Sequence, residues 1–124
     1  MNRILIVEDE EFLLKALSDN FETEGFTVDV ARNGEESISQ IKKRKPDLVL
    51  LDLLLPKVGG FDVLKAMKDN TEWNLIPVIV LSNLGGDEQI KKAFELGADD
   101  YFVKSQHPIE EVIEKVKNTL QGEK

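Results

Sequence analysis

Four apolar runs in this chain end in residues that can do polar chemistry. Residues 4–7 are followed by Glu8 and Asp9, 48–51 by Asp52, 77–81 by Ser82 and 101–103 by Lys104. Brought to one place, the three carboxylates repel strongly. Lys104 offsets one negative charge, and the remaining two match a divalent cation. The donors are all oxygen, with no cysteine and no positioned histidine, which suits Mg2+ or Mn2+ rather than Zn2+. Mg2+ held by few carboxylates keeps waters that phosphate oxygens can replace. A carboxylate beside that ion, a lysine and a hydroxyl is equipped to attack a phosphoryl group and form an aspartyl phosphate. Asp52 is the best nucleophile candidate because it follows the central run. Glu8 and Asp9 would hold the metal, and Ser82 and Lys104 would receive phosphoryl oxygens.

Each residue taken singly has a plainer reading. Asp52 reads as a loop carboxylate, Glu8 and Asp9 as the acidic start of a helix, and Ser82 as a turn or cap residue. Lys104 reads as a solvated lysine and Tyr101 as a half-buried strand aromatic. Their joint placement after apolar runs carries the argument.

The elements that must position them alternate. The run 4–7 suits a strand covered on both faces. Leu13, Leu17 and Phe21 form a helical stripe that stops at Gly25. Residues 26–30 alternate apolar and polar, which predicts a half-covered edge strand. A weaker helix over 34–45 carries Ile38 and Ile41 and ends at Pro46. Residues 48–51 form the next buried strand, and Phe61, Leu64, Met67 and Lys68 mark a helix. Pro77 opens the strand 77–81, and Ile90, Ala93, Phe94 and Gly97 mark a helix and its stop. After the strand 101–103, Ile109, Val112, Ile113, Val116 and Leu120 give the cleanest stripe, with Pro108 near its start. Five strands alternating with five helices predict an α/β fold with a doubly wound parallel sheet. The expected order is the flavodoxin-like 2-1-3-4-5, with ligands bound beyond the carboxyl ends of the strands.

Composition bounds the rest. The chain has 124 residues, 16 Lys plus Arg, 24 Asp plus Glu, and a net charge of -8. It is 41% hydrophobic and 32% charged, which excludes a disordered or collagen-like chain. The length suits a single domain over 1–124. The absence of cysteine excludes a disulfide framework and thiolate chemistry and suits a reducing, cytoplasmic setting. The acidic balance argues against direct nucleic-acid binding. The longest apolar stretch, 48–55, is interrupted by Asp52 and is far short of the ~20 residues of a membrane span. The acidic run 8–11 closes the opening apolar stretch too early for a signal peptide.

At these residues the sequence resembles the receiver domain of two-component response regulators, in its single-domain form like the chemotaxis regulator. The matching pieces are Val7-Glu8-Asp9, 47–52 with Pro56 and Gly60, Ser82, and 97–104. The resemblance implies that Asp52 accepts a phosphoryl group from a histidine kinase, a phosphotransfer protein or a small phosphodonor. It implies Mg2+ held by Glu8, Asp9, Asp52 and the backbone carbonyl of Leu54. It implies that Ser82 moves toward the phosphate and Tyr101 turns inward. That switch would alter the face of helix 4, strand 5 and helix 5, where an output protein binds, or a second copy in a weak dimer. The chain would then be a switch, not an enzyme with a separate substrate, either stand-alone or cut from a longer regulator.

The sequence departs from the family pattern in places. Ser105 follows Lys104 where the family usually has a proline, so this loop is either strained or differently routed. Ser82 replaces the commoner threonine, Asn83 stands where a small residue is frequent, and Gly59 where an acid is common. The flanking positions Leu54 and Leu84 are both apolar, which implies a shielded, long-lived phosphorylated state.

Competing functions fare less well. A haloacid-dehalogenase-type phosphatase wants an acid two residues after the nucleophile, where this chain has Leu54. A nucleotide or flavin binder wants a phosphate loop, and neither Gly59-Gly60 nor Gly85-Gly86 makes one. A phosphorylation-independent protein-binding scaffold of the same fold remains the alternative. The basic run 42–45 reads as a solvated helix end whose cations complement the dipole. His107 has no assigned role, Trp73 packs over the loop before the fourth strand, and Phe12 or Leu14 is a candidate for an exposed kinase-facing position.

Overall fold

The computed structural model describes residues 2–122. The strands are β1 (Arg3–Val7), β2 (Thr27–Ala31), β3 (Leu48–Leu51), β4 (Val78–Ser82) and β5 (Asp100–Val103). The helices are α1 (Glu11–Thr23), α2 (Gly34–Lys43), α3 (Gly60–Asp69), α4 (Asp87–Glu95) and α5 (Ile109–Leu120). All strand pairs are parallel, in the order β2-β1-β3-β4-β5. This is the flavodoxin-like fold that the alternation of elements predicted.

The strands sort their side chains with a period of two. Leu5, Val7, Val49, Leu51, Val78 and Val80 enter one core, packed against α2, α3 and α4 through Ile41, Leu64 and Ala93. Ile4, Ile6, Leu48, Leu50, Ile79 and Leu81 enter the other, against α1 and α5 through Leu17, Phe21 and Val112. Burying each such side chain contributes about 1.5–3 kcal/mol. The two-sided cover explains why β1, β3 and β4 read as unbroken apolar runs. The first four residues of β2 are only half-buried, as an edge strand requires.

Element ends follow local chemistry. Gly25 and Gly97 take positive φ angles of 96° and 109° after α1 and α4, a conformation open to glycine and costly for other residues. Asn33 caps α2 by accepting from the Glu36 N–H at 2.9 Å. Several boundaries differ by a residue from the sequence reading. Pro77 lies just outside β4, where its carbonyl accepts the Val49 N–H at 3.0 Å, and Ser82 is the last residue of β4 rather than the first beyond it. Trp73 is buried against the core before β4, as its position suggested. Leu14 is buried while Phe12 is 91% exposed, so α1 divides the two between core and solvent. No helix among the described residues is long and apolar enough to cross a membrane.

Candidate functional site

Register brings the site together. Val7 pairs with Leu51, so Glu8 and Asp52 leave adjacent strands side by side. Ser82 pairs with Val103, so Lys104 emerges next to the end of β4. Backbone bonds hold the exits. The Asp52 N–H donates to the Val7 carbonyl at 3.0 Å, and the Lys104 N–H to the Ser82 carbonyl at 2.9 Å. On the far side of Asp52, α3 sits close. A Cβ on Gly60 would come within 2.5 Å of the Asp52 carbonyl oxygen, so only glycine fits there.

The side chains converge. Lys104 Nζ lies 2.9 Å from both Glu8 Oε1 and Asp52 Oδ2. Glu8, Asp9 and Asp52 offer carboxylate oxygens within 4.8 Å of one another. Glu8 and Asp52 are buried, while Asp9 is exposed at the mouth. The Leu54 N–H donates to Asp52 Oδ1 at 3.0 Å, which steadies that carboxylate. Ser82 is fully buried, and its Oγ accepts the Leu84 N–H at 3.3 Å. Tyr101 Oη donates to the Leu84 carbonyl at 2.5 Å and is half-buried. The structure thus joins Glu8, Asp9, Asp52 and Lys104 directly. Ser82 and Tyr101 meet on the backbone of Leu84 instead.

Electrostatics follow the burial. The Glu8 carboxyl is raised to about 7: desolvation by burial lifts it most, the Lys104 hydrogen bond pulls it part of the way back, and the Asp52 charge adds to the rise. Burial alone would lower the Lys104 ammonium, but hydrogen bonds to Glu10, Asp52 and Glu8 outweigh it and hold its pKa above the usual value. Tyr101 is raised by burial and by the Asp52 charge. One lysine facing these acids leaves an excess of negative charge at the strand ends. The donor set fits a hard divalent cation: clustered oxygens, mostly buried, with charge still to be balanced.

The sequence reading missed Glu10. Its Oε2 lies 2.6 Å from Lys104 Nζ, the shortest of that lysine's ion pairs. Its own N–H donates to Glu8 Oε2 at 3.1 Å. The signal was present in the acidic run 8–11, but nothing local marks that Glu10, itself exposed, is the one that reaches over to Lys104. The loop after β5 takes the differently routed path. The described residues contain no cis peptide, and the Gln106 N–H closes a turn on the Val103 carbonyl at 2.9 Å. His107 bonds Glu111 at 2.6 Å and stacks edge-on against Phe102, away from the site.

A fold of this order, with an acidic cluster and a lysine at the carboxyl ends of its strands, is that of the receiver domains of signalling proteins. The chain belongs to the response regulator receiver domain family, whose pattern matches residues 4–117. It is 38% identical over 102 residues to the phosphate regulon transcriptional regulatory protein PhoB of Rhizobium meliloti (strain 1021), covering 82% of this chain and 45% of that protein. It is 38% identical over 120 residues to the alkaline phosphatase synthesis transcriptional regulatory protein PhoP of Bacillus subtilis (strain 168), covering 95% of this chain and 48% of that one. The chain therefore spans about half the length of these curated relatives. Among solved structures, a CheY-like response regulator receiver domain protein from Methanospirillum hungatei JF-1 superposes with a TM-score of 0.90 at 26% identity, over 98% of this chain and 95% of that one. The Mn2+-bound form of response regulator Rcp1 superposes with a TM-score of 0.81 at 26% identity, over 98% of this chain and 91% of that one.

Proposed function

We propose that this receiver domain, spanning 1–124, is a phosphorylation switch in which Asp52 accepts a phosphoryl group from a phosphohistidine. The observation that carries this reading is the buried Asp52 carboxylate, with Lys104 Nζ 2.9 Å from one oxygen and the Leu54 N–H 3.0 Å from the other. That arrangement aims and steadies an oxygen nucleophile while leaving a cation beside the incoming charge. An Asp52 oxygen forms the new bond to phosphorus. The bond from phosphorus to the histidine nitrogen breaks, and its electron pair returns to the ring. Lys104 and the Ser82 hydroxyl receive phosphoryl oxygens, Ser82 after leaving the Leu84 N–H. Glu8, Asp9, Asp52 and the Leu54 carbonyl would hold Mg2+, or Mn2+ in its place. When bound, that ion supplies charge neutralisation for the transferring group.

Tyr101 and Ser82 share Leu84 as an anchor, so a Ser82 that turns to the phosphate loosens the contact that fixes Tyr101. The change would pass to the face of α4, β5 and α5, where an output protein or a second copy binds. The partners are a cytoplasmic histidine kinase or phosphotransfer protein and that output protein. The chain itself turns over no separate substrate. Leu54 is half-exposed and Leu84 packs against the core, and neither offers a group to orient an attacking water. The phosphorylated state is therefore long-lived, and Leu84→Glu shortens its half-life; an unchanged hydrolysis rate would count against the shielding.

Intact mass after incubation with Mg2+ and phosphoramidate or acetyl phosphate tests the switch, beside Asp52→Asn. One added phosphoryl group on the wild type and none on the variant is the expected outcome. No adduct from small donors or from a phosphorylated histidine kinase would overturn the switch in favour of a phosphorylation-independent scaffold.

A further inference from the structure

The molecule carries -8 overall, yet it has one concentrated cationic stretch, 42–45, where α2 ends. Arg44 there pairs with Asp29 at 3.5 Å. Elsewhere Lys15, Lys65, Lys68, Lys104, Lys115 and Lys117 each have a carboxylate partner, Lys92 lies over the Phe61 ring, and Lys57 and Lys91, also without an ion pair among the described residues, do not stand in a basic run of this length. Lys42, Lys43 and Lys45 are exposed and have no ion pair among the described residues. Dipole complementarity accounts for cations in the last turn of α2. It does not account for Lys45, beyond the helix cap, or for the groove beside it.

That groove has a volume of about 450 Å³ and lies between the end of α2 and the connection from α3 to β4. Ile41, Trp73 and Leu75 line it with apolar surface, Lys42 and Lys45 with positive charge, and Glu72 is the single acid. Ile41 and Trp73 belong to the core, but Leu75 is 92% exposed. The backbone that presents Leu75 is pinned. The Ile76 N–H donates to the Trp73 carbonyl at 3.0 Å, and Lys68 Nζ donates to the carbonyls of Asn74 and Ile76 at 3.3 and 3.1 Å. A leucine held out on fixed backbone is a preorganised contact. The groove lies at the amino ends of β3 and β4, across the sheet from Asp52.

We propose that this groove docks an acidic segment of a partner protein that carries a large apolar side chain. The apolar side chain covers Leu75 and the edge of Trp73, and flanking carboxylates meet Lys42 and Lys45. Charge complementarity selects this occupant. The consecutive basic run 42–45, with Lys42 and Lys45 on the groove itself, makes a local positive field on a molecule of net negative charge, which attracts an acidic segment and repels a basic one. The proposal is independent of the phosphorylation reading, since no residue of the groove belongs to that site.

Trp73 is the only tryptophan in the chain, so its emission reports occupancy. The intact chain is titrated with an acetylated, amidated Asp-Glu-Leu-Phe-Glu-Asp peptide. A saturable emission change is expected, weakened by added salt. It is expected to weaken by about tenfold or more both in Leu75→Ser and in the pair Lys42→Glu with Lys45→Glu. Both variants change exposed side chains, and an unaltered melting curve verifies their fold. The proposal is overturned by no saturable change, or by equal affinity of the charge-reversed pair. Equal binding of a peptide with serine in place of its Leu and Phe overturns it too. So does a Trp73 response to ATP or inorganic phosphate but not to the peptide, or self-association of the chain that Leu75→Ser abolishes.

Discussion

Glu8 is a carboxyl held near neutrality by its surroundings. Its pKa rises from 4.5 to about 7 on folding, so the folded chain binds a proton more tightly than the unfolded one. In Mg2+-free buffer the stability this contributes is complete below pH 4.5 and is lost as pH rises through about 7. The slope is at most about 1.4 kcal/mol per pH unit. Urea unfolding across that window is expected to show wild-type stability falling relative to Glu8→Gln. A flat difference would mean that Lys104 cancels the desolvation. Lys57 is a second special residue, with a left-handed φ of 61° outside any helix or strand. That conformation costs a side-chain-bearing residue about 1–2 kcal/mol, whereas glycine loses about 0.5–1 kcal/mol in chain entropy. Lys57→Gly is therefore expected to stabilise the domain by about 0.5–1 kcal/mol, read from denaturant midpoints at unchanged m-value.

Elements act here as holders for strand ends. The start of α3 presses on the backbone of Asp52 through Gly60, whose N–H donates to the Leu53 carbonyl at 3.1 Å. Alanine at 60 would gain about 1 kcal/mol of helix propensity and lose more to the clash. Gly60→Ala is expected to destabilise by about 1–3 kcal/mol net and to slow phosphoramidate labelling of Asp52. Gly59→Ala, where a Cβ meets only the Asp62 side chain at 4.0 Å, is the control: it gives up a glycine N-cap of α3 but leaves Asp52 in place and its labelling unchanged. Labelling that survives Gly60→Ala at the wild-type rate would show that the Asp52 position tolerates displacement.

At the scale of the whole molecule, Lys104 ties the chain's opening segment to its third and fifth strands. It bonds Asp52 and Glu8 across sequence separations of 52 and 96 residues. Removing one partner of a buried charge cluster costs about 3–5 kcal/mol, reduced where a remaining acid can take a proton. Lys104→Ala is accordingly expected to lose about 2–3 kcal/mol in Mg2+-free buffer at neutral pH. Added Mg2+ should return part of that loss by supplying the missing positive charge. Thermal melts with and without Mg2+ check this, and the absence of any Mg2+ effect on either protein would argue against a cation site at Glu8, Asp9 and Asp52.

Much of this was legible in the chain itself. Strand and helix periods are local, so the covered runs 4–7 and 48–51 and the stripe through Val112 and Val116 marked their elements. Parallel order then required the ends of those runs to share one edge, which placed Asp52, Glu8 and Lys104 together. What tertiary structure alone decided depends on contacts between residues far apart in sequence. Glu10 reaches Lys104 across 94 positions, and no local pattern separates it from Glu11, which is also exposed and pairs with Arg32 instead. Ser82 and Tyr101 share the backbone of Leu84, a meeting set by how β4, β5 and their loop pack. No local pattern sets Leu75 apart from the apolar residues around it, yet packing left it outside the core. The lysines of 42–45 looked like an ordinary helix end until the fold set Leu75 and Trp73 beside them.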